Sequence, residues 1–98
     1  MSHPTTASVK AEISKQPALT PGTPGWWQVW GTTGQDIEPG DYVLTKDDEF
    51  YVQDVFETKS PVLSVGVVVD GERSTFGRYA HCVILRRGTR QTLSPHAR

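Results

Sequence analysis

The feature that most constrains the fold is a run of alternating apolar residues that ends in an Asp-Gly pair. Apolar side chains occupy every second position of this run: Leu63, Val65, Val67 and Val69. This period of two is typical of a strand with one buried face. Asp70 and Gly71 follow, and both tolerate the positive φ that a two-residue type I′ turn requires. The segment therefore predicts a β-hairpin with three facing pairs: Val69 with Glu72, Val67 with Ser74, and Val65 with Phe76.

The chain after the first 25 residues predicts further short strands that are separated by turns. β-Branched and aromatic residues cluster in four more segments: residues 26–30, 42–45, 50–57 and 82–85. Pro39-Gly40 predicts a turn in which the glycine takes a positive φ. Gly66 and Gly77 lie within or beside strands and predict β-bulges. With no convincing helix, the pattern predicts a single all-β domain, a small barrel of about five or six strands over residues 26–88.

The first 25 residues differ in composition from the rest, and we expect them to form a flexible Pro/Thr/Ser-rich arm. Four prolines remove backbone donors and fix φ: Pro4, Pro17, Pro21 and Pro24. Large apolar residues are rare here, so a disordered or extended arm is the default expectation. Val9 and Ile13 are four residues apart, a spacing that allows one weak helical turn. At the other end, residues 89–98 predict a polar, basic tail.

The segment Gly40-Asp41-Tyr42-Val43 resembles the Gly-Asp-aromatic-Val turn through which the chain enters SH3-like small barrels. This resemblance extends over residues 36–87 and implies an SH3-like arrangement of the strands. Residues 37–44 are also similar to part of the self-cleaving repressor and signal-peptidase superfamily. Its members carry a Ser-Met pair upstream of such a turn and a lysine on a later strand, where this chain has Thr32-Thr33 and Gln53-Asp54-Val55. The second resemblance therefore implies a shared turn and no shared catalysis.

No catalytic residue, metal site or cofactor is predicted, and we expect that the protein is not an enzyme. A single cysteine, Cys82, excludes an internal disulfide framework and a zinc knuckle. His81 is its neighbour, and adjacent strand residues point to opposite faces, so the two do not readily bind one metal. We interpret Cys82 as a small buried hydrophobe and His81 as a surface residue. Asp54 is either an acid in an apolar setting or a residue at a bulge or sheet edge.

Three tryptophans lie close together where the predicted domain begins: Trp26, Trp27 and Trp30. In a strand, the first and third would share one face and the second would lie on the other. A domain of this size cannot bury all three rings, so at least one should remain partly exposed. Exposed aromatic rings anchor protein partners or stack on bases. The tryptophans are therefore candidates for partner binding, and the alternative is that one or two of them cap the bottom of the barrel.

The charges are unevenly distributed, although the net charge is only −1. Residues 35–58 hold eight acidic residues and one lysine, whereas residues 59–98 hold seven basic and two acidic residues. Five arginines are candidates for contacts with nucleic-acid phosphates: Arg73, Arg78, Arg86, Arg87 and Arg90. The sequence pI of about 6.3 is below the value of about 9 that is typical of dedicated nucleic-acid-binding domains. We therefore favour the interpretation that these arginines pair with acidic residues or are solvated.

These observations predict a non-enzymatic protein-interaction module, such as an accessory or assembly subunit, including a small viral or bacterial structural protein. Its partner would be another protein or a second copy of the chain, contacted through the arm, the tryptophans and free strand edges. The alternative is a small β-barrel that binds nucleic acid through arginine and tryptophan side chains. The sequence shows no long apolar run and no signal peptide. We therefore expect no membrane partner and a location in the cytoplasm or within a viral particle.

Overall fold

A computed structural model describes residues 4–89 of the chain. These residues form one α-helix, one short 3₁₀ helix and seven β-strands. The helix α1 spans Thr6–Lys15, and the 3₁₀ helix spans Gly34–Asp36. The strands are β1 (Gly25–Val29), β2 (Tyr42–Leu44), β3 (Glu49–Tyr51), β4 (Asp54–Phe56), β5 (Ser64–Val69), β6 (Glu72–Gly77) and β7 (Val83–Gly88). The fold is therefore mostly β, as the sequence predicts.

The strands are divided between two antiparallel sheets. One sheet has four strands in the order β1-β7-β2-β3, and the other has three strands in the order β4-β5-β6. The sequence predicted one barrel of about five or six strands. The described residues instead form two sheets that are not joined into a closed barrel, and these sheets hold seven strands.

The additional strand arises because the predicted strand over residues 50–57 bends in its middle. The Val52 N–H donates to the Asp41 carbonyl at 2.8 Å, and the next N–H, of Gln53, donates to the Val68 carbonyl at 2.8 Å. The first bond points to the four-stranded sheet and the second to the three-stranded sheet. β3 and β4 are therefore the two halves of one bent strand, and the fully buried Val52 lies at the corner.

The predicted β5–β6 hairpin is confirmed, including its register. The paired residues are Val69 with Glu72, Val67 with Ser74, and Val65 with Phe76. Asp70 and Gly71 have φ values of 51° and 84°, the positive values that a type I′ turn requires. The predicted turn at Pro39-Gly40 is also confirmed, because the Asp41 N–H donates to the Glu38 carbonyl at 3.2 Å and φ of Gly40 is 91°.

Gly66 and Gly77 do not form the predicted bulges. β5 pairs regularly with both of its neighbours through Gly66, and its pairing with β6 continues regularly to Gly77. Gly66 leaves room for an aromatic ring instead, because a Cβ atom at this position would lie 2.3 Å from Cε2 of Phe56. Close packing, rather than an irregular backbone, therefore explains this glycine.

The main hydrophobic core contains side chains from both sheets. Its buried members are Ile37, Val43, Val52, Val67, Cys82 and Ile84. Cys82 is thus the small buried hydrophobe that the sequence predicts. A second, smaller cluster contains Val9, Trp26 and Tyr42. Tyr42 precedes the core residue Val43 on β2, so this second cluster lies on the opposite face of the four-stranded sheet.

The N-terminal segment differs from the predicted disordered or extended arm, because residues 6–15 form α1. The helix begins after Thr5, whose Oγ1 accepts from the Ser8 N–H at 3.1 Å, while Ser8 Oγ accepts from the Thr5 N–H at 2.9 Å. This reciprocal arrangement is a capping box. Val9 is buried, and Ile13 packs beside it in the second cluster. A short helix gains most of its stability from such packing, which the sequence of the arm alone does not reveal.

The end of α1 is attached to the edge strand β1 by Gln16. Its side-chain Oε1 accepts from the Trp26 N–H at 3.0 Å, and its Nε2 donates to the Trp26 carbonyl at 3.3 Å. The amide group thus makes the two hydrogen bonds that a further strand would make. Residues 1–3 and 90–98 lie outside the described residues, and most of the predicted basic tail falls among them.

Candidate functional site

Trp26 and Trp27 point to opposite faces of β1, and each is only 5% exposed. Trp26 lies beneath α1 and donates through Nε1 to Glu12 Oε1 at 3.2 Å. Trp27 donates through Nε1 to the Thr23 carbonyl at 3.0 Å. Both rings therefore serve the packing of the N-terminal segment on the sheet. Among the described residues, these two candidate partner-binding side chains are therefore buried.

Trp30 is the exposed member of the three, with 43% of its surface accessible. The prediction that at least one ring stays partly exposed is therefore confirmed. The register of β1 and β7 ends at Val29 opposite Ile84, so the next residues across are Trp30 and Val83. Val83 is 39% exposed, and the half-buried Leu44 lies opposite it on β2. We call Trp30, Val83 and Leu44 the Trp30 patch.

The Trp30 patch lies on the same face of the four-stranded sheet as α1. Val83 and Leu85 are two residues apart on β7 and share one face, and Leu85 packs in the cluster beneath the helix. The helix covers that cluster but leaves Trp30 and Val83 exposed. The patch is therefore an apolar continuation of a surface that already packs one helix.

Asp41 is a charged residue that is only 1% exposed, and it binds Arg86. Arg86 Nε donates to Asp41 Oδ1 and Arg86 Nη2 to Oδ2, both at 2.9 Å, which is a strong two-point geometry. Asp41 Oδ2 also accepts from the Glu38 N–H at 2.8 Å, and Arg86 Nη2 also donates to the Asp36 carbonyl at 3.1 Å. The hydrogen bond to Asp41 raises the pKa of the Arg86 guanidinium, while burial acts in the opposite direction. Arg86 therefore holds the turn before β2 against β7.

Arg87 is held by the N-terminal helix. Its Nη1 lies 2.5 Å from Glu12 Oε1, and its guanidinium carbon lies 5.9 Å from the centre of the Trp26 ring. Both Arg87 and Glu12 are largely exposed, so this ion pair contributes little to stability by itself. Glu12 thus bridges the arginine to the indole Nε1 beneath the helix.

The remaining candidate arginines are spread over other parts of the protein. Arg73 lies 4.2 Å above the ring of Phe56. Arg78 Nε donates to the Pro61 carbonyl at 2.6 Å. Arg90 lies outside the described residues. The four described arginines are therefore engaged with different neighbours.

Three titratable side chains that do not contribute to the core are exposed: Asp54, Tyr79 and His81. Asp54 lies on the edge strand β4, which agrees with the edge interpretation. His81 is exposed and Cys82 is buried, as predicted. Burial, with smaller contributions from Asp36 and Asp41, raises the pKa of the Cys82 thiol. The thiol therefore carries little of the thiolate form that acts as a nucleophile.

Two properties of residues 4–89 concern metals and membranes. No three His, Cys, Asp or Glu side chains in this range are grouped so that they could hold a metal ion. No helix in the same range is long and apolar enough to cross a membrane.

Sequence reasoning missed the role of Asp41, which it placed only in a turn. The signal was present, because Asp41 and Arg86 carry opposite charges and each adjoins a predicted strand. The register places Tyr42 opposite Leu85, so the two charged residues come directly next to each other. The sequence does not reveal that β2 pairs with β7, and without that pairing the contact cannot be predicted.

No protein-family model matches the chain, and neither a curated protein nor a solved structure matches it.

Proposed function

We propose that the protein is a non-enzymatic protein-interaction module that docks on another protein through the Trp30 patch. The observation that carries this proposal is the 43% exposure of Trp30 beside the exposed Val83. Tryptophan is enriched among the residues that dominate binding energy at protein interfaces. A partner that covers the patch removes the exposed part of the Trp30 ring from water, and such burial is the main favourable contribution to association.

The position of the patch supports this proposal. The neighbouring part of the same sheet face already binds α1 through Val9 and Ile13. A partner segment that lies beside α1 would extend this packing over Val83 and Trp30. Such a role suits an accessory or assembly subunit.

We also propose that the two sheets are a variant of the SH3-like barrel. Support comes from the bent β3–β4 strand, which belongs to both sheets. Further support comes from the segment after β1, which bonds to the segment after β6: the Gly34 N–H donates to the Ala80 carbonyl at 3.2 Å, and the Gln35 N–H donates to the Arg78 carbonyl at 2.8 Å.

The test of the interaction proposal is affinity capture with matched variants. Wild-type protein, Trp30→Ser and Leu63→Ser are immobilised and exposed to an extract of the cells that produce the protein. Leu63 is 70% exposed and lies between β4 and β5, so it is a control for the loss of an exposed apolar side chain elsewhere. We expect wild type and Leu63→Ser to retain the same protein, and Trp30→Ser to lose it. Retention by all three proteins, or by none, would contradict the proposal.

The nucleic-acid alternative remains a prediction, and no contact of the described arginines favours it. It is tested by tryptophan fluorescence during titration with a mixed-sequence oligonucleotide at low and moderate salt. Binding to phosphates would quench the emission at low salt and weaken steeply as salt is added. We expect a flat titration.

A further inference from the structure

A cleft separates the β2–β3 hairpin from the β5–β6 hairpin. Its volume is about 400 Å³. Its apolar lining consists of Phe50, Val67, Val69 and Phe76. The rings of Phe50 and Phe76 meet edge to face with their centres 6.0 Å apart. A lining of this kind accepts an apolar side chain.

β6 borders this cleft and is an edge strand of its sheet. Val69 and Glu72 flank the two-residue turn, so they form a hydrogen-bonded pair, and such pairs alternate with non-bonded pairs along an antiparallel ladder. Arg73 and Thr75 fall in the non-bonded pairs. Their backbone N–H and C=O groups therefore point away from β5, toward a side of β6 on which no described strand lies.

Side chains of the N-terminal segment bond to both edge strands of the four-stranded sheet, whereas no such bond covers β6 among the described residues. Gln16 makes both edge hydrogen bonds of Trp26 on β1. Thr6 Oγ1 accepts from the Tyr51 N–H on the other edge strand, β3, at 3.0 Å. Covering elements of this kind protect edge strands from pairing with other chains. Among the described residues, α1 and its flanks supply that protection to the four-stranded sheet, and the long edge strand β6 lacks it.

The rim of the cleft is acidic. Three carboxylates line it: Asp48, Asp70 and Glu72. Asp47 and Lys46 are also in the β2–β3 turn, and their opposite charges offset each other. Arg73 also borders the cleft, but its guanidinium lies over Phe56, on the opposite face of the sheet from Phe76. Because carboxylates outnumber the basic side chains that face the cleft, the rim attracts a basic partner.

The geometry points to this cleft as a binding groove for an extended, basic peptide segment of a partner protein. The segment pairs with the free edge of β6 at Arg73 and Thr75, as in other complexes formed by strand addition. One of its apolar side chains enters the space beside Phe50 and Phe76. Lysine or arginine side chains two residues before and two residues after that residue share its face, so they meet the acidic rim. The lining of the groove contains none of the three residues of the Trp30 patch, so this inference does not depend on the function proposed above.

The test is a nuclear magnetic resonance titration of the full chain with a capped peptide of sequence TKTVTKT, whose valine and two lysines share one strand face, and with its acidic counterpart TETVTET. We expect the basic peptide to shift the backbone amide signals of Arg73 and Thr75 and the ring signals of Phe50 and Phe76. The acidic peptide should shift none of them. Equal effects of the two peptides, shifts confined to other residues, or no shifts at all would overturn the inference.

Two variants separate strand pairing from charge attraction. Thr75→Pro removes an N–H that points to the free edge, and it should weaken binding of TKTVTKT by about tenfold, which corresponds to the loss of one hydrogen bond. Thr75→Val keeps that N–H and should bind as wild type does. Glu72→Lys is an exposed substitution that does not depend on the folding of the proline variant, and it should weaken binding by about two- to fivefold.

Unchanged binding by both Thr75→Pro and Glu72→Lys would overturn the inference. A second copy of the chain is the competing occupant of the β6 edge. Shifts of the Arg73 and Thr75 amides that grow with protein concentration, without any peptide, would assign the edge to that second copy and would likewise overturn the inference.

Discussion

At the scale of single residues, the pair formed by Asp41 and Arg86 joins two parts of the chain that are far apart in sequence. Removing one partner of a buried pair leaves the other without its hydrogen bonds. We expect Asp41→Ala to lower the free energy of unfolding by about 2–4 kcal/mol, measured by urea denaturation. The partial exposure of Arg86 keeps the expected loss below that of a fully buried pair.

Asp54→Ala is the matched control for this substitution, because Asp54 is an exposed carboxylate on an edge strand. We expect the control to change the free energy of unfolding by less than about 0.5 kcal/mol. Equal losses in the two variants would show that the contact with Arg86 is not what makes Asp41 important.

A second prediction at this scale concerns Tyr42, whose hydroxyl donates to Glu49 Oε1. Burial, followed by this hydrogen bond and the charges of Glu49 and Asp48, raises the pKa of Tyr42 well above its ordinary value of 10.0. Above that ordinary value, the unfolded chain releases the phenol proton while the folded protein keeps it. The contribution of the Tyr42 hydroxyl to the free energy of unfolding is therefore fully present below a pH of about 10 and is lost as the pH rises further.

The variant Tyr42→Phe isolates this effect, because phenylalanine has no proton to release. We expect the melting temperature of wild type to fall more steeply than that of Tyr42→Phe as the pH is raised above about 10. The two other tyrosines, Tyr51 and Tyr79, are common to both proteins and cancel in the comparison. Parallel pH profiles would contradict the assignment.

At the scale of elements, α1 depends on its contact with the four-stranded sheet. Val9 is 3% exposed beneath the helix. We expect Val9→Ala to lower the free energy of unfolding by about 1–3 kcal/mol, since the substitution leaves a cavity. Ser14→Ala, at an exposed position of the same helix, should change it by less than about 0.5 kcal/mol. If Val9→Ala proved as neutral as Ser14→Ala in denaturant unfolding, the helix would not be part of the folded unit.

The elements that could be predicted from the sequence are those with a local cause. Asp70-Gly71 and Pro39-Gly40 determine their own turns, because each places a glycine where φ must be positive. The bend at Val52 could not be predicted in this way, since it depends on two different sheets accepting adjacent N–H groups. The helix could be predicted only in part. Val9 and Ile13 have the spacing of residues on one helix face, but the surface that stabilises them lies elsewhere in the chain.

The candidate site likewise combines one feature that can be predicted from the sequence with others that depend on distant parts of the chain. The sequence indicates that one tryptophan must remain exposed, because three large rings exceed what so small a domain can bury. It does not indicate which one, since burial of Trp26 depends on α1 and burial of Trp27 depends on packing at the opposite face of β1. The pairing of the arginines with their neighbours depends on strand order, so it could not be predicted from the sequence either.

At the scale of the whole molecule, the two sheets present different surfaces. The four-stranded sheet has its edges bonded to residues of the N-terminal segment and leaves the Trp30 patch exposed beside α1. The three-stranded sheet leaves the edge of β6 open beside an acidic cleft. The two proposals together would let one small domain link two other proteins, as the proposed assembly role requires.

Site-specific photocross-linking reports whether the proposed contact between Trp30 and a protein partner exists. The photoreactive residue p-benzoylphenylalanine replaces Trp30 in one variant and the exposed Leu63 in another, and both are irradiated in an extract of the producing cells. We expect one discrete protein adduct from position 30 and none from position 63. A failure to form any protein adduct from position 30, or an adduct with nucleic acid there, would contradict the proposed contact.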